Sequence, residues 1–175
     1  MRSPPKDSLL RFTLFVTRAI TALLIFAAVA MVIGMALVGF DMMNGSEALL
    51  SEYPGIDLAA FQTNFWLLVP TALLGVVLGI FFFRLLTRIV RSVEEGNPFA
   101  AINAARLRNM GWLALGFQLI ALPVIFLEAR MDEISGQPSG LDLDLGGFVL
   151  ALVLFVLARV FESGAEMRDD LEGTV

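Results

Sequence analysis

Three stretches of the sequence carry no charged residue over a length that could cross a lipid bilayer. They cover residues 19–40, 65–83 and 110–127, which are 22, 19 and 18 residues long. A membrane-spanning helix needs about 20 mostly apolar residues, because every backbone N–H and C=O inside lipid must be paired within the segment. The chain is 58% hydrophobic, against about 45–50% in a soluble domain, and the excess lies in these runs. We therefore predict an all-α integral membrane protein.

The first run follows several basic residues, as the apolar core of a secretory signal peptide does. A signal peptide has a core of only about 7–15 residues, followed by small residues that allow cleavage. Residues 19–40 exceed that length and end in Leu37-Val38-Gly39-Phe40. We interpret this run as an uncleaved first span.

A fourth run is shorter than the others. Residues 145–158 are uncharged, a length that fits a re-entrant or interfacial segment as well as a span. The run extends to Phe161 if the guanidinium of Arg159 reaches back to the lipid headgroups. We predict four spans at about 19–40, 65–86, 110–127 and 145–161, with three spans as the alternative.

Lysine and arginine are distributed unevenly among the segments that connect these runs. The first 18 residues hold four, segment 84–109 holds five and segment 159–175 holds two, whereas residues 41–64 hold none and residues 128–145 hold only Arg130. Basic connecting segments stay in the cytoplasm, and eleven of the twelve basic residues lie on one side of this arrangement. The prediction is that both termini are cytoplasmic and that the acidic outer loops are solvated connectors, with recognition of a cationic ligand as the weaker alternative.

Composition excludes most catalytic chemistry. The chain has no cysteine and no histidine, which removes disulfides, thiolate and imidazole metal sites, haem attachment and histidine bases. The predicted spans contain no acid–base pair, no nucleophile beside a base and no cluster of metal ligands. The formal net charge of −5 argues against direct nucleic-acid binding, which usually needs a basic face. We expect no enzyme, no cofactor and no bound metal.

The segment between the second and third runs, residues 87–109, has the pattern of a helical elbow at the cytoplasmic membrane surface. Gly96 resembles the residue after a helix end, and Asn97-Pro98 is a favourable start for a further helix, which we predict from Pro98 to about Asn109. Three of the arginines recur at i, i+4 and i+7 on one helix face. The residues that we single out are Arg84, Arg88, Arg91, Asn97, Pro98, Phe99, Asn103, Arg106 and Arg108.

Two interpretations of the elbow are open, and both can hold together. Basic residues beside a span can anchor it to the anionic headgroups of the cytoplasmic leaflet. The elbow can also be a docking surface for a cytoplasmic partner. The acidic segment 162–175 is expected to extend the last helix into the cytoplasm as a solvated tail, with binding to a basic protein surface as the alternative.

Inside the spans, small and polar residues indicate where helices meet. Gly75 and Gly79 form a GxxxG pattern that lets helix backbones approach closely, and we expect packing within one chain, with a homodimer face as the alternative. Gln118 is the one strongly polar side chain in the middle of a span. An interhelical hydrogen bond explains it better than transport, which usually needs ionisable residues or broken helices.

Two signatures in the sequence resemble a family of bacterial membrane proteins. The first is Glu95-Gly96-Asn97-Pro98-Phe99, followed by Asn103, Arg106-Leu107-Arg108 and Gly111-Trp112, and the second is Leu157-Ala158-Arg159-Val160-Phe161, followed by Gly164 and residues 167–175. Over roughly residues 15–175 the chain is similar to the family catalogued as domain of unknown function 2975. The resemblance implies a four-helix protein of the bacterial inner (plasma) membrane, which supports counting the fourth run, and it offers no catalytic residues.

Members of that family are often encoded beside a small helix-turn-helix regulator of the Cro/C1 type. The resemblance therefore implies a non-enzymatic membrane protein that sequesters such a regulator or signals to it. A small transporter or pore is one alternative function. A lipid-binding or assembly subunit of a larger membrane complex is another.

Overall fold

The computed structural model describes residues 8–52, 55–135 and 145–172 of the chain, and the regular structure within these ranges is entirely helical. The helices are α1 (Ser8–Met43), α2 (Glu47–Glu52), α3 (Leu58–Glu94), α4 (Ala101–Ser135) and α5 (Gly146–Glu172). All except α2 are long and apolar enough to cross a membrane. The prediction of an all-helical protein with four membrane-length helices is confirmed, and the chain is a multi-pass membrane protein.

Most of the short fourth run lies in α5, a helix of 27 residues. The 14 uncharged residues of the run therefore do not limit the length of the helix that contains them. Arg159 at the end of that run has a side chain that is 75% exposed and lies 2.9 Å from a carboxylate oxygen of Glu162. Positions 136–144 of the predicted outer loop and positions 173–175 of the predicted tail lie outside the described residues.

Local sequence signals account for the start and the course of α3. Asp57 precedes this helix, and its carboxylate accepts hydrogen bonds from the backbone N–H groups of Ala59 and Ala60, both at 3.1 Å. This is the N-cap arrangement that short acidic side chains favour. Pro70 lies within α3 and Pro123 within α4, in segments where neighbouring helices can pair the carbonyls that proline frees.

The four long helices pack as an open row. Among the described residues, α1 packs against α3, α3 against α4 and α4 against α5, and α1 makes no close backbone contact with α4 or α5. The main cluster of buried apolar residues lies in the last three helices, and its members are Ile89, Leu107, Met110, Ala114, Ala151, Leu154 and Ala158. Only 6% of the most apolar stretch is buried in α1 and in α3, against 22% in α4 and α5. Because α3 is the one long helix that α1 contacts in the described part of the chain, most of the surface of α1 is left for lipid.

All four long helices continue beyond their uncharged runs at the end of the molecule that carries Arg18 and Arg84, which we call the arginine-rich end, and α1 does so over residues 8–18. α3 continues from Arg84 to Glu94, roughly 16 Å, and α5 continues from Arg159 to Glu172, roughly 20 Å, at 1.5 Å per residue. The start of α4 lies beside them, and Ile89, Leu107 and Ala165 are buried at this end. Residues 84–110 and 159–172 thus form a small three-helix head with its own packed interior.

The predicted separate helix from Pro98 to Asn109 differs from the structure. Residues 97–100 form a turn, and α4 begins at Ala101 and continues without a break to Ser135. Asn97 does not cap the new helix, because its side-chain oxygen accepts a hydrogen bond from the guanidinium of Arg168 in α5. The elbow is therefore a turn between two long helices.

Candidate functional site

The end of α3 has the hydrogen bonds of a Schellman motif, in which a residue with positive φ reverses the chain. The N–H of Gly96 donates to the carbonyl of Val93 at 3.0 Å, and the N–H of Asn97 donates to the carbonyl of Ser92 at 3.0 Å. Gly96 has a φ of +81°, a left-handed conformation that glycine adopts without a steric penalty. The helix end that Gly96 predicted is found at this position.

A buried amide joins the turn to the two helices that flank it. The side chain of Asn103 is 0% exposed, and its Nδ2 donates to Ser92 Oγ and to the carbonyl of Pro98, each at 2.9 Å. Ser92 Oγ in turn donates to the carbonyl of Asn97 at 2.7 Å. Since a buried polar group without partners is costly, these bonds hold the turn in one conformation.

The side chain of Arg106 belongs to the same network. Its Nη1 donates to Asn103 Oδ1 at 2.9 Å and to the backbone carbonyl of Arg88 at 3.2 Å. Arg106 is half-buried, whereas Arg108 is exposed. Of these two predicted docking residues, Arg106 stabilises the elbow and Arg108 faces outward.

Helix α5 closes the head against the turn. The ring of Phe99 lies 5.4 Å from the ring of Phe161, and a Cβ atom added at Gly164 would lie 2.8 Å from a carbon of the Phe99 ring. The Arg168–Asn97 hydrogen bond lies one helix turn further along α5. Residues of the predicted tail are therefore packed on the elbow, at least as far as Arg168.

The three remaining elbow arginines lie elsewhere. Arg84, Arg88 and Arg91 line a groove between α1 and α3 of about 630 Å³, together with Arg18 of α1. Among the described residues, none of these four side chains has a hydrogen bond or an ion pair. We call this feature the arginine groove. The residues that were predicted as one site therefore lie in two places. The arginine groove is on one side of α3, and the hydrogen-bond network of Asn103 is on the other.

The glycines and the glutamine singled out within the spans lie at helix contacts. A Cβ atom at Gly75 would lie 3.6 Å from Phe117 of α4, and one at Gly79 would lie 3.4 Å from Leu24 of α1. Gln118 is 7% exposed and packs against Gly147 of α5, where an added Cβ would lie 2.6 Å from the Gln118 side chain. All three thus pack helices within the chain.

Several residues of these contacts were not singled out from the sequence. Ser92 was not among the predicted site residues, and Arg18 was counted only as one of the basic residues before the first span. Asn64 is buried at the other end of α3, and its Nδ2 donates to the carbonyl of Leu127 at 2.6 Å. The sequence signal that could have identified Arg18 and Asn64 is their position beside an uncharged run. Arg18 borders such a run, as Arg84 does, and Asn64 directly precedes one.

The side chains that the structure brings together at the arginine-rich end are guanidinium, amide and hydroxyl groups. Among the described residues there is no group of three or more acidic or other metal-ligating side chains that could hold a metal ion. The head instead carries guanidinium groups on α3 and carboxylates on α5, where Glu166 is exposed.

The model of a protein family described as "Protein of unknown function (DUF2975)" matches residues 49–175. The matched range contains α3, α4, α5 and the whole head, and it begins after α1. No curated protein and no solved structure matches the chain.

Proposed function

The chain belongs to the DUF2975 family of proteins of unknown function, and we propose that it is a non-enzymatic membrane protein whose head binds a small cytoplasmic regulator of the helix-turn-helix type. In this proposal both termini and the head face the cytoplasm of a bacterium, as the distribution of arginine predicts. The regulator enters through the family resemblance, in which such genes are often neighbours.

The head is the observation that carries the proposal. An anchor that only touches lipid needs a basic, partly apolar helix at the membrane surface. Here the ends of α3, α4 and α5 extend beyond the uncharged runs and are held in one arrangement by the buried side chain of Asn103 and by the contact between Phe99 and Phe161. A surface that is ordered before binding loses less entropy when a partner docks, which suits protein recognition.

The α5 side of the head has the charge that a DNA-binding partner requires. Glu162, Glu166 and Asp170 recur at i, i+4 and i+8, so they share one face of α5, where Glu162 is paired with Arg159. The net negative charge of this face therefore comes from Glu166 and Asp170. A helix-turn-helix protein attracts DNA phosphates with basic side chains. This acidic face is complementary to such a surface, and in the proposed mechanism it competes with DNA for the regulator and sequesters it at the membrane.

Binding of the neighbouring regulator to the protein in lipid nanodiscs tests the proposal. Glu166→Lys places a like charge against a basic surface and is expected to weaken binding at least about tenfold. Glu133→Lys makes the same change on an exposed residue near the far end of α4 and serves as the matched control. Absence of a complex between the two wild-type proteins at low salt would refute the proposal.

A second variant tests which side of the head is used. Arg108→Glu changes an exposed residue of α4 without removing a hydrogen bond of the Asn103 network, unlike a change at Arg106. Loss of binding with Arg108→Glu but not with Glu166→Lys would move the docking surface from α5 to α4. The proposal that this protein binds the regulator at the membrane would then stand, but the acidic face of α5 would not be the binding site.

A transporter or pore has less support from the same structure. An interhelical space that Gln118 lines lies between α1, α3 and α4 and measures about 550 Å³. Gln118 is the one polar residue among those that line it. Transport pathways usually contain ionisable side chains or exposed backbone carbonyls, and this space offers an apolar wall.

A further inference from the structure

Four arginine side chains from two helices converge on the arginine groove. Arg18 comes from α1, and the other three, Arg84, Arg88 and Arg91, come from one face of α3. Guanidinium groups that share a groove repel one another, and here no carboxylate among the described residues is paired with any of them. All four side chains are exposed, so they are accessible to an anion from outside the chain.

The other polar groups of the groove narrow the chemistry of what it can bind. Thr21 and Thr87 also line it, and their hydroxyls already donate to carbonyls of their own helices at 2.7 and 2.8 Å. The free donors are thus the guanidinium groups, whose forked N–H groups match the oxygens of phosphate. This donor set suits an anion with several phosphate oxygens.

The position of the groove relative to the membrane indicates a lipid as the source of that anion. Arg18 directly precedes the uncharged run 19–40, and Arg84 directly follows the run 65–83, so both lie where a spanning helix meets the headgroups. Ile25 lines the groove as well and lies two helical turns from Arg18 on the same face, toward the middle of the span. The groove therefore has a cationic part at headgroup level and an apolar side toward the acyl chains.

We propose that the arginine groove is a binding site for the headgroup of one phospholipid that carries two phosphodiesters. A single phosphodiester has one negative charge and would leave most of the four guanidinium groups uncompensated. Two linked phosphodiesters supply two charges and enough acceptor oxygens for the arginines of both helices. The site lies on α1 and α3, away from the acidic face of α5, so it stands or falls independently of the regulator.

This site differs from the general attraction of basic segments to an anionic leaflet. General attraction depends on net charge and holds lipids without a fixed number. A built groove predicts one retained lipid per chain, preference for two phosphates over one, and dependence on these particular arginines. The full-length protein can be assayed for all three properties in the absence of any regulator.

Native mass spectrometry of the detergent-solubilised protein is the test, with cardiolipin and phosphatidylglycerol offered at equal phosphate concentration. We expect one cardiolipin per chain to be retained at a collision energy that removes phosphatidylglycerol. Arg18→Gln and Arg88→Gln should each weaken cardiolipin retention about fivefold, the effect of about 1 kcal/mol per arginine. Arg159→Gln removes the same charge from α5 at the same end of the molecule and should leave retention unchanged.

Additional measurements distinguish specific lipid binding from binding of a soluble anion and from attraction by net charge. Millimolar pyrophosphate is expected not to displace cardiolipin, and displacement would assign the groove to a soluble anion and overturn the lipid proposal. Equal losses for Arg18→Gln and Arg159→Gln would also overturn it, because they would indicate attraction by net charge alone. Arg18→Lys keeps the charge without the forked donors and should bind between wild type and Arg18→Gln, and circular dichroism of each variant checks that its helices are intact.

Discussion

Replacement of Asn103 by alanine tests whether one buried amide determines the conformation of the elbow. The side chain takes part in three hydrogen bonds of 2.9 Å, two as donor and one as acceptor from Arg106. Each net contribution is about 1 kcal/mol, and the bond to a charged donor is somewhat stronger. Since the site is fully buried, we expect Asn103→Ala to destabilise the elbow by about 3 kcal/mol, or roughly 100-fold in the equilibrium constant for local opening.

Hydrogen–deuterium exchange of the protein in nanodiscs measures this opening. The amides of Asn97 and Asn103 lie inside the network and are expected to exchange roughly 100-fold faster in Asn103→Ala, with little change in the middle of α4. Asn109→Ala makes the same truncation on an exposed residue of the same helix and should exchange like wild type. Similar exchange in the two variants would refute the role given to the buried amide.

Two other predictions concern packing and topology. Gly111→Ala should destabilise the contact between α4 and α5 by about 1–3 kcal/mol, because the added methyl would lie 2.8 Å from a ring carbon of Phe155. Gly116→Ala on the same helix would meet a flexible leucine end at 3.4 Å and should be neutral or stabilising by up to about 1 kcal/mol, so equal losses in unfolding titrations would contradict the assigned close approach. Because the chain lacks cysteine, Asn44→Cys and Asn109→Cys give single labelling sites, and a membrane-impermeant maleimide should label intact cells only at Asn44→Cys. The reverse pattern would invert the predicted topology.

The membrane helices were predictable because length and charge are properties of consecutive residues. An uncharged run of about 20 residues has few alternatives to a spanning helix, and the end of α3 depended on the local requirement for positive φ at Gly96. The same holds for Asp57, whose side chain caps the helix that directly follows it. Spans, helix ends and caps are determined by consecutive residues, so they could be predicted from the sequence alone.

The order of the helices in the row could not be derived in this way. In lipid, residues that face a neighbouring helix and residues that face acyl chains are both apolar, so the contrast that marks the buried face of a soluble helix is missing. Leu23 is 65% exposed and Met110 is 2% exposed, although both lie in or at the edge of uncharged runs. Nothing in their local sequence separates these two environments.

The sequence also did not show which residues come together in the candidate sites, because this depends on how the helices pack. Asn103 and Ser92 belong to different helices and meet only because the chain reverses between them. Arg18 and Arg84 lie far apart in the sequence and share a groove only because α1 packs on α3. The sequence therefore indicated the residue types at the membrane surface, while their division into two surfaces depended on the packing.

Side-chain hydrogen bonds link α3 to α4 near opposite ends of the pair. Asn64 donates to the carbonyl of Leu127 near one end of the α3–α4 pair, and Asn103 donates to Ser92 near the other. In lipid, where helix association gains little from the hydrophobic effect, such bonds and close packing set the register of two helices. The register of α3 against α4 is thus determined at both ends.

Helix α1 has a different set of polar contacts. The hydroxyls of Thr13, Thr17 and Thr21 each donate to a carbonyl of α1 itself, so these side chains add no hydrogen bond to α3. Close packing, such as Leu24 against Gly79, is what joins the two helices along their spans. At the arginine-rich end, the four guanidinium groups of the arginine groove oppose that packing by repulsion. A two-phosphate headgroup bound there would reduce the repulsion and supply the polar link between α1 and α3 that their own described side chains do not make.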